Sequence, residues 1–171
     1  VTIVCLGDSI TWGFPWGPEA SWVKHAAEKT GVSMINKGVN GDTTDDLIRR
    51  FNGDITALKP SHVIMMAGTN DACINISLKK YAANCHDLVE MSERHRITPA
   101  FGLPIPADDS LIEGRLADYR RWIMDYCEAN RIAVLDFGHV SLLDDVHPDR
   151  EGYLQMAEAA VIFIKKWLEK C

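Results

Sequence analysis

Five short apolar runs, each followed by a longer amphipathic stretch, constrain this chain more than any other feature. The runs are Thr2–Leu6, Ser33–Asn36, His62–Ala67, Thr98–Gly102 and Ala133–Asp136. They are too short for buried helices, and Gly, Pro, Asn or Asp stand at or beside their ends, which reads as strand. The stretches between them read as helix. One runs from about Glu19 to Thr30 and closes at Gly31, and Thr44 can cap another through Phe51. Ser77 can cap a third through about His95, with Leu78, Tyr81, Ala82, Cys85, Leu88 and Val89 on one face. Two more cover about Leu111–Asn130 and, after Pro148 and Asp149, Arg150–Glu169.

Strands that alternate with helices predict a parallel sheet covered on both faces, a flavodoxin-like three-layer αβα sandwich of the α/β class. Right-handed crossovers leave few topologies, and the strand order 2-1-3-4-5 is the common one for this count. No linker, repeat or low-complexity segment divides the 171 residues, so a single domain over residues 1–171 is expected. In such a sheet every strand-to-helix loop leaves from one rim, where open α/β sheets place their ligands. Here those loops begin after Leu6, Lys37, Ala67, Gly102 and Phe137.

Composition narrows the partners. A net charge of −6 argues against a general nucleic-acid or anionic-membrane binder. No run of eighteen or so apolar residues predicts a membrane span. With no basic, apolar leader pattern, a cytoplasmic protein is expected. The cysteines are Cys5, Cys73, Cys85, Cys127 and Cys171, an odd number with no C-x-x-C pair, which reads as free thiols in a reducing compartment.

Four rim loops carry unusual polar content. They hold Gly7-Asp8-Ser9-Ile10-Thr11, Gly38-Val39-Asn40-Gly41-Asp42, Gly68-Thr69-Asn70-Asp71 and Asp144-Asp145-Val146-His147-Pro148. A serine hydroxyl is a poor nucleophile until a base takes its proton, and a histidine can both take and return one. A carboxylate on the far ring nitrogen fixes the tautomer and stabilises imidazolium. Ser9, His147 and either Asp144 or Asp145 supply these parts. His139 is the rival base, and His139, Asp144, Asp145, His147 and Asp149 make a metal set without a recognised spacing. Ser9, Gly41 and Asn70 also suit turns alone, while Asp8 and Asp71 read as binders of loop amides and Asn40 as a residue that orients its own loop. Neither a Gly-x-Ser-x-Gly elbow nor a Gly-x-Gly-x-x-Gly or P-loop phosphate cradle occurs.

These blocks, in this order and each near a strand end, resemble the SGNH hydrolases, also called the GDSL esterases and lipases. The resemblance runs from residue 7 to about residue 153. It implies Ser9 as nucleophile, His147 as base and Asp144 as its orienting acid, since the family pattern is Asp-x-x-His. It implies an oxyanion hole from the Ser9 N–H, the Gly41 N–H and the Asn70 side chain. The implied reaction is hydrolysis of a small-molecule ester or thioester through an acyl-enzyme, with no cofactor and no metal. Related enzymes include lysophospholipases, thioesterases, arylesterases and carbohydrate deacetylases.

Trp12 and Phe14, with Ile74, Ile105 and Pro104, are expected to wall an apolar pocket for a short acyl or aryl group, or else to pack beneath the loop. From another class, the same rim suits a non-catalytic carbohydrate- or anion-binding module. Tyr119, Trp122 and Tyr126 on one helix are as consistent with core as with a dimer face, so the sequence assigns no oligomeric state, monomer or dimer.

Overall fold

The computed structural model describes residues 1–169; Cys171 lies outside the described residues. Strands β1 (Thr2–Gly7), β2 (Ser33–Gly38), β3 (His62–Met66), β4 (Thr98–Gly102) and β5 (Ala133–Leu135) form one parallel sheet in the order β2-β1-β3-β4-β5. This is the expected fold and the expected order. The helices are α1 (Ser9–Trp12), α2 (Trp22–Thr30), α3 (Thr44–Asp54), α4 (Thr69–Cys73), α5 (Leu78–Arg94), α6 (Ser110–Asn130) and α7 (Arg150–Leu168).

Alternate strand residues feed two cores. Val4, Leu6, Val63, Met65 and Phe101 pack with side chains of α3, α5 and α6, among them Leu47, Phe51, Leu88 and Tyr119. Ile3, Cys5, Ile64, Met66 and Ala100 pack with α2 and α7, around Trp22, Tyr153 and Met156. Both faces of β1 and β3 are therefore buried, which is why they read as continuous apolar runs. Burying each such large side chain stabilises the fold by about 1.5–3 kcal/mol. Cys5, Cys85 and Cys127 are buried free thiols, and Cys73 is an exposed one.

Several element ends differ from expectation. Two adjacent threonines compete to cap α3, and Thr43 wins because Asp46 reciprocates by accepting the Thr43 N–H at 2.9 Å. Thr44 becomes the first helical residue, and its N–H and hydroxyl go to the Asp71 carboxylate. The segment before α2 is a separate 3-10 turn over Pro18–Ala20, with Ser21 as the α2 cap. Asp109 caps α6 and Asp149 caps α7. Two short helices, α1 and α4, stand where plain loops were expected.

The site is positioned by register. Gly7 at the end of β1 lies beside Gly38 of β2 and Met66 of β3. Three of the rim loops therefore leave the sheet at one level. After Gly7 the chain turns sharply into α1, whose cap is Asp8; its carboxylate accepts the Ile10 N–H at 2.9 Å. α1 folds back over the end of β2. Asn36 of β2 holds it by donating to the Thr11 carbonyl at 2.8 Å while accepting the Gly38 N–H at 2.9 Å. The approach is so close that a Cβ on Gly38 would stand 2.2 Å from the Trp12 nitrogen.

Asp8 is almost wholly buried, at 1% exposure. Burial raises its carboxyl to about 7, against the Ile10 hydrogen bond and with help from the nearby charges of Asp71 and Asp42. Asp71 is shifted in the same direction, again chiefly by burial.

Three variants test this account of the fold by their stability. Gly38→Ala must push backbone aside and should cost about 2–4 kcal/mol in urea unfolding, toward the upper end of single-site effects. Gly114→Ala, in α6 with open space around the new Cβ, should instead gain about 0.5–1 kcal/mol. For Asp8 the folded-state value lies above the unfolded one, so the native state binds more protons between about pH 4 and pH 7. Its contribution is full below that window and is lost as pH rises through it. Asp8→Asn, which keeps an acceptor for Ile10, should flatten the decline in urea midpoint between pH 5 and pH 8; an unchanged slope would place the burden elsewhere.

Candidate active site

The structure brings Ser9, His147 and Asp144 into one hydrogen-bonded line. Ser9 is the first residue of α1 and is 7% exposed, with its hydroxyl at the sheet rim. Its Oγ lies 3.1 Å from Nε2 of His147, and Nδ1 of His147 lies 2.8 Å from Oδ2 of Asp144. With the proton on Nδ1, directed at the carboxylate, Nε2 is free to accept from the serine hydroxyl. Of the two candidate acids, Asp144 is the one in place. Asp145 instead offers its backbone carbonyl to the Asp108 N–H at 2.8 Å, tying the loop after β4 to the histidine loop.

The histidine loop is rigid for local reasons. Asp144 Oδ1 accepts the Val146 N–H at 2.9 Å and the His147 N–H at 2.7 Å, an aspartate turn that aims the imidazole. Leu143 N–H donates to the His147 carbonyl at 2.8 Å, and Leu142 bridges to Pro148, so the loop is pinched shut at its base. Partial burial works to raise the Asp144 carboxyl, but the Val146 and His147 N–H groups and the imidazole outweigh it and hold it below the ordinary range. The orienting carboxylate thus stays ionised into mildly acid solution.

Gly41 and Asn70 come from the two neighbouring loops. Gly41 has φ of 86°, a left-handed conformation that favours glycine, and open space where a Cβ would be. Asn70 is the second residue of α4, and its Nδ2 donates to the Asp42 carbonyl at 2.9 Å. That bond ties the asparagine to the residue after Gly41. Asn40 is exposed; Asp42, which the sequence did not single out, is the better-tethered residue of its loop. Asp71 accepts the N–H and the hydroxyl of Thr44 at the start of α3, a helix amide where loop amides were expected.

The proposed pocket wall is dispersed. Phe14 lies against the His147 ring, with centroids 4.6 Å apart, and the Tyr153 hydroxyl donates to its carbonyl at 2.9 Å. It therefore covers the imidazole. Trp12 is half-buried, its indole end near Gly17. Ile74 is exposed just beyond α4, four residues and about one helical turn from Asn70. Ile105 is a correction: at 2% exposure it belongs to the core with Phe137 and Met66. With Pro104 and Phe137 it underlies a separate cleft of about 280 Å³, whose lining includes neither Ser9 nor His147. His139, the rival base, is exposed and lines that same cleft. Among the described residues, no group of three or more His, Cys, Asp or Glu side chains is arranged to hold a metal ion, and no helix is long and apolar enough to cross a membrane.

Comparison with known proteins identifies the family and the fold. A lipoprotein of Bacillus subtilis, YqeF, is 34% identical over 125 residues, which cover 66% of this chain and 50% of that one. An acetylxylan esterase of Geobacillus stearothermophilus is 37% identical over 65 residues, 38% of this chain and 25% of its own length. The chain thus spans half or less of these curated relatives. A solved structure from the G-D-S-L lipolytic family of Desulfitobacterium hafniense superposes with a TM-score of 0.89 at 30% identity, covering 95% of this chain and 98% of the other. The esterase EstA of Pseudoalteromonas shares the fold, with a TM-score of 0.84 at 21% identity over 98% of both chains. Residues 5–155 match the GDSL-like lipase/acylhydrolase family, and the chain belongs to it.

Proposed function

We propose that this chain is a serine esterase that hydrolyses small acyl or aryl esters through an acyl-enzyme on Ser9. The observation that carries this reading is the continuous hydrogen-bonded line from Ser9 Oγ through the His147 ring to Asp144. In the first half-reaction His147 Nε2 takes the Ser9 proton as Oγ attacks the ester carbonyl. The Asp144 carboxylate stabilises the imidazolium that results. The tetrahedral intermediate collapses when the imidazolium returns its proton to the leaving alcohol. In the second half-reaction a water gives its proton to His147 and attacks the acyl group, and Ser9 leaves with that proton.

The Ser9 and Gly41 N–H groups and the Asn70 amide are the donors for the developing oxyanion. An amide does not titrate in this range, so its help is constant with pH. Phe14 shields one face of the imidazole. The pinched histidine loop favours a small substrate over one that needs a large lid. The proposed partner is accordingly a small-molecule ester. A cytoplasmic location is the expectation from the sequence alone, and it stands apart from the Bacillus subtilis relative, whose name makes it a lipoprotein.

A second reading, removal of O-acetyl groups from carbohydrate, is favoured by the local identity to an acetylxylan esterase. Side-by-side turnover of p-nitrophenyl acetate and butyrate, acetylated xylose, lysophosphatidylcholine and an acyl-CoA separates these readings from the lipase and thioesterase alternatives. Ser9→Ala should abolish turnover on whichever substrate is best, and a fluorophosphonate should label Ser9 in the native protein. Failure of the folded protein to react favours a binding module. Asn70→Ala should lower kcat by roughly 100–1000-fold with KM within about threefold, because its donor acts mainly on the transition state. A rise in KM at constant kcat would assign Asn70 to substrate binding instead.

A further inference from the structure

Arg50 of α3 joins the first two rim loops directly and the third through the Asp42 carbonyl. Its Nη2 donates to the Gly7 carbonyl at 2.8 Å, in the peptide just before Asp8 and Ser9. Its Nε donates to the Asp42 carboxylate at 2.5 Å, in the residue just after Gly41. Its Nη1 donates to Asp54 at 2.7 Å, one turn along its own helix. The Asp42 backbone carbonyl in turn accepts the Asn70 amide at 2.9 Å. The Gly7 carbonyl also receives the Val39 N–H at 3.0 Å, so the first two loops are joined directly as well. Arg50 and Asp42 are both mostly buried, with side-chain exposures of 18% and 12%. Such a site gives a planar, three-way donor an advantage that no point charge reproduces.

Resting on the esterase reading above, we propose that Arg50 is a positioning residue for the oxyanion hole. One guanidinium sets the spacing between the Ser9 N–H, the Gly41 N–H and, through the Asp42 carbonyl, the Asn70 amide. Oxyanion donors help only when aimed at where the negative charge develops, and a displacement of about 1 Å can cost about 100-fold in rate. Lysine at this position keeps the charge but cannot reach three acceptors from one rigid plane. Its loss should therefore appear in the transition state and not in ground-state binding.

The test is a kinetic double-mutant cycle on the best ester substrate, with Arg50→Lys, Asn70→Ala and the combined variant. Arg50→Lys should lower kcat by roughly 10–100-fold with KM within about threefold. The cost of Asn70→Ala should shrink about tenfold in the Arg50→Lys background, because a misplaced donor has less to lose. A scaffold role alone predicts lower thermal stability with unchanged kcat, or costs that simply multiply; either result overturns the proposal. If Arg50→Lys does not fold, Asp42→Asn reads the same link with milder loss, and full kcat in that variant overturns the proposal equally. Failure of the esterase reading is distinguishable: the wild type itself then leaves Ser9 unmodified by a fluorophosphonate, and this proposal falls with it.

Discussion

A parallel sheet has one carboxyl rim, and the site of this protein depends on how three strands end there. Gly38, Gly7 and Met66 stand side by side at the ends of β2, β1 and β3. Because these ends are level, loops far apart in sequence begin within two strand spacings of each other. The fourth contributor, the histidine loop after β5, reaches back across the rim to bring His147 to Ser9 over a separation of 138 residues. Beside that contact Phe14 packs on the imidazole and the Tyr153 hydroxyl holds the Phe14 carbonyl, while α2 and α7 pack together on one face of the sheet and set where the last helix begins.

The polar layer beneath the nucleophile gives that geometry its stiffness. Asp8 caps α1, Asp71 binds the start of α3, and Asp42 receives Arg50. Three acids gathered under one loop would repel if all were ionised and unpaired. The structure handles them differently: Asp42 has an arginine, Asp71 has the Thr44 hydroxyl and N–H, and Asp8 retains a proton more readily than an exposed acid. Buried polar groups are costly unless satisfied, so each of these partners limits how far the loops can drift.

The sheet was legible in the sequence because burial of a strand leaves a local trace, a short apolar run between turn residues. The two short helices left none. α1 has four residues and α4 has five, too few for a helical period, and they form through the Asp8 cap and the contacts of Asn36 and Asp71 with other elements. The α3 cap was placed one residue late because both Thr43 and Thr44 are good caps, and only the reciprocal bond from Asp46 separates them. At the site, the serine and the histidine were legible in the blocks, while the residues alone left Asp144 and Asp145 open and only the resemblance to the family's Asp-x-x-His pattern implied Asp144. Arg50 was not legible. Its neighbour Asp54 looks like an ordinary helix-surface pair, and its decisive acceptor, the Gly7 carbonyl, is 43 residues away. Ile105 was misplaced because the chain after β4 stays buried through Leu103, Pro104 and Ile105 before it turns outward.

The account stands on the hydroxyl of Ser9 becoming a nucleophile because an oriented imidazole lies in hydrogen-bond reach. Rapid quenching of the protein during turnover of p-nitrophenyl acetate, followed by peptide mass mapping, reads this directly. The account predicts an acetyl group on the peptide that contains Ser9, formed at the rate of the initial p-nitrophenol burst and absent in His147→Gln. Turnover with Ser9 unmodified at every quench time, or acetyl carried by another side chain at the burst rate, would contradict it.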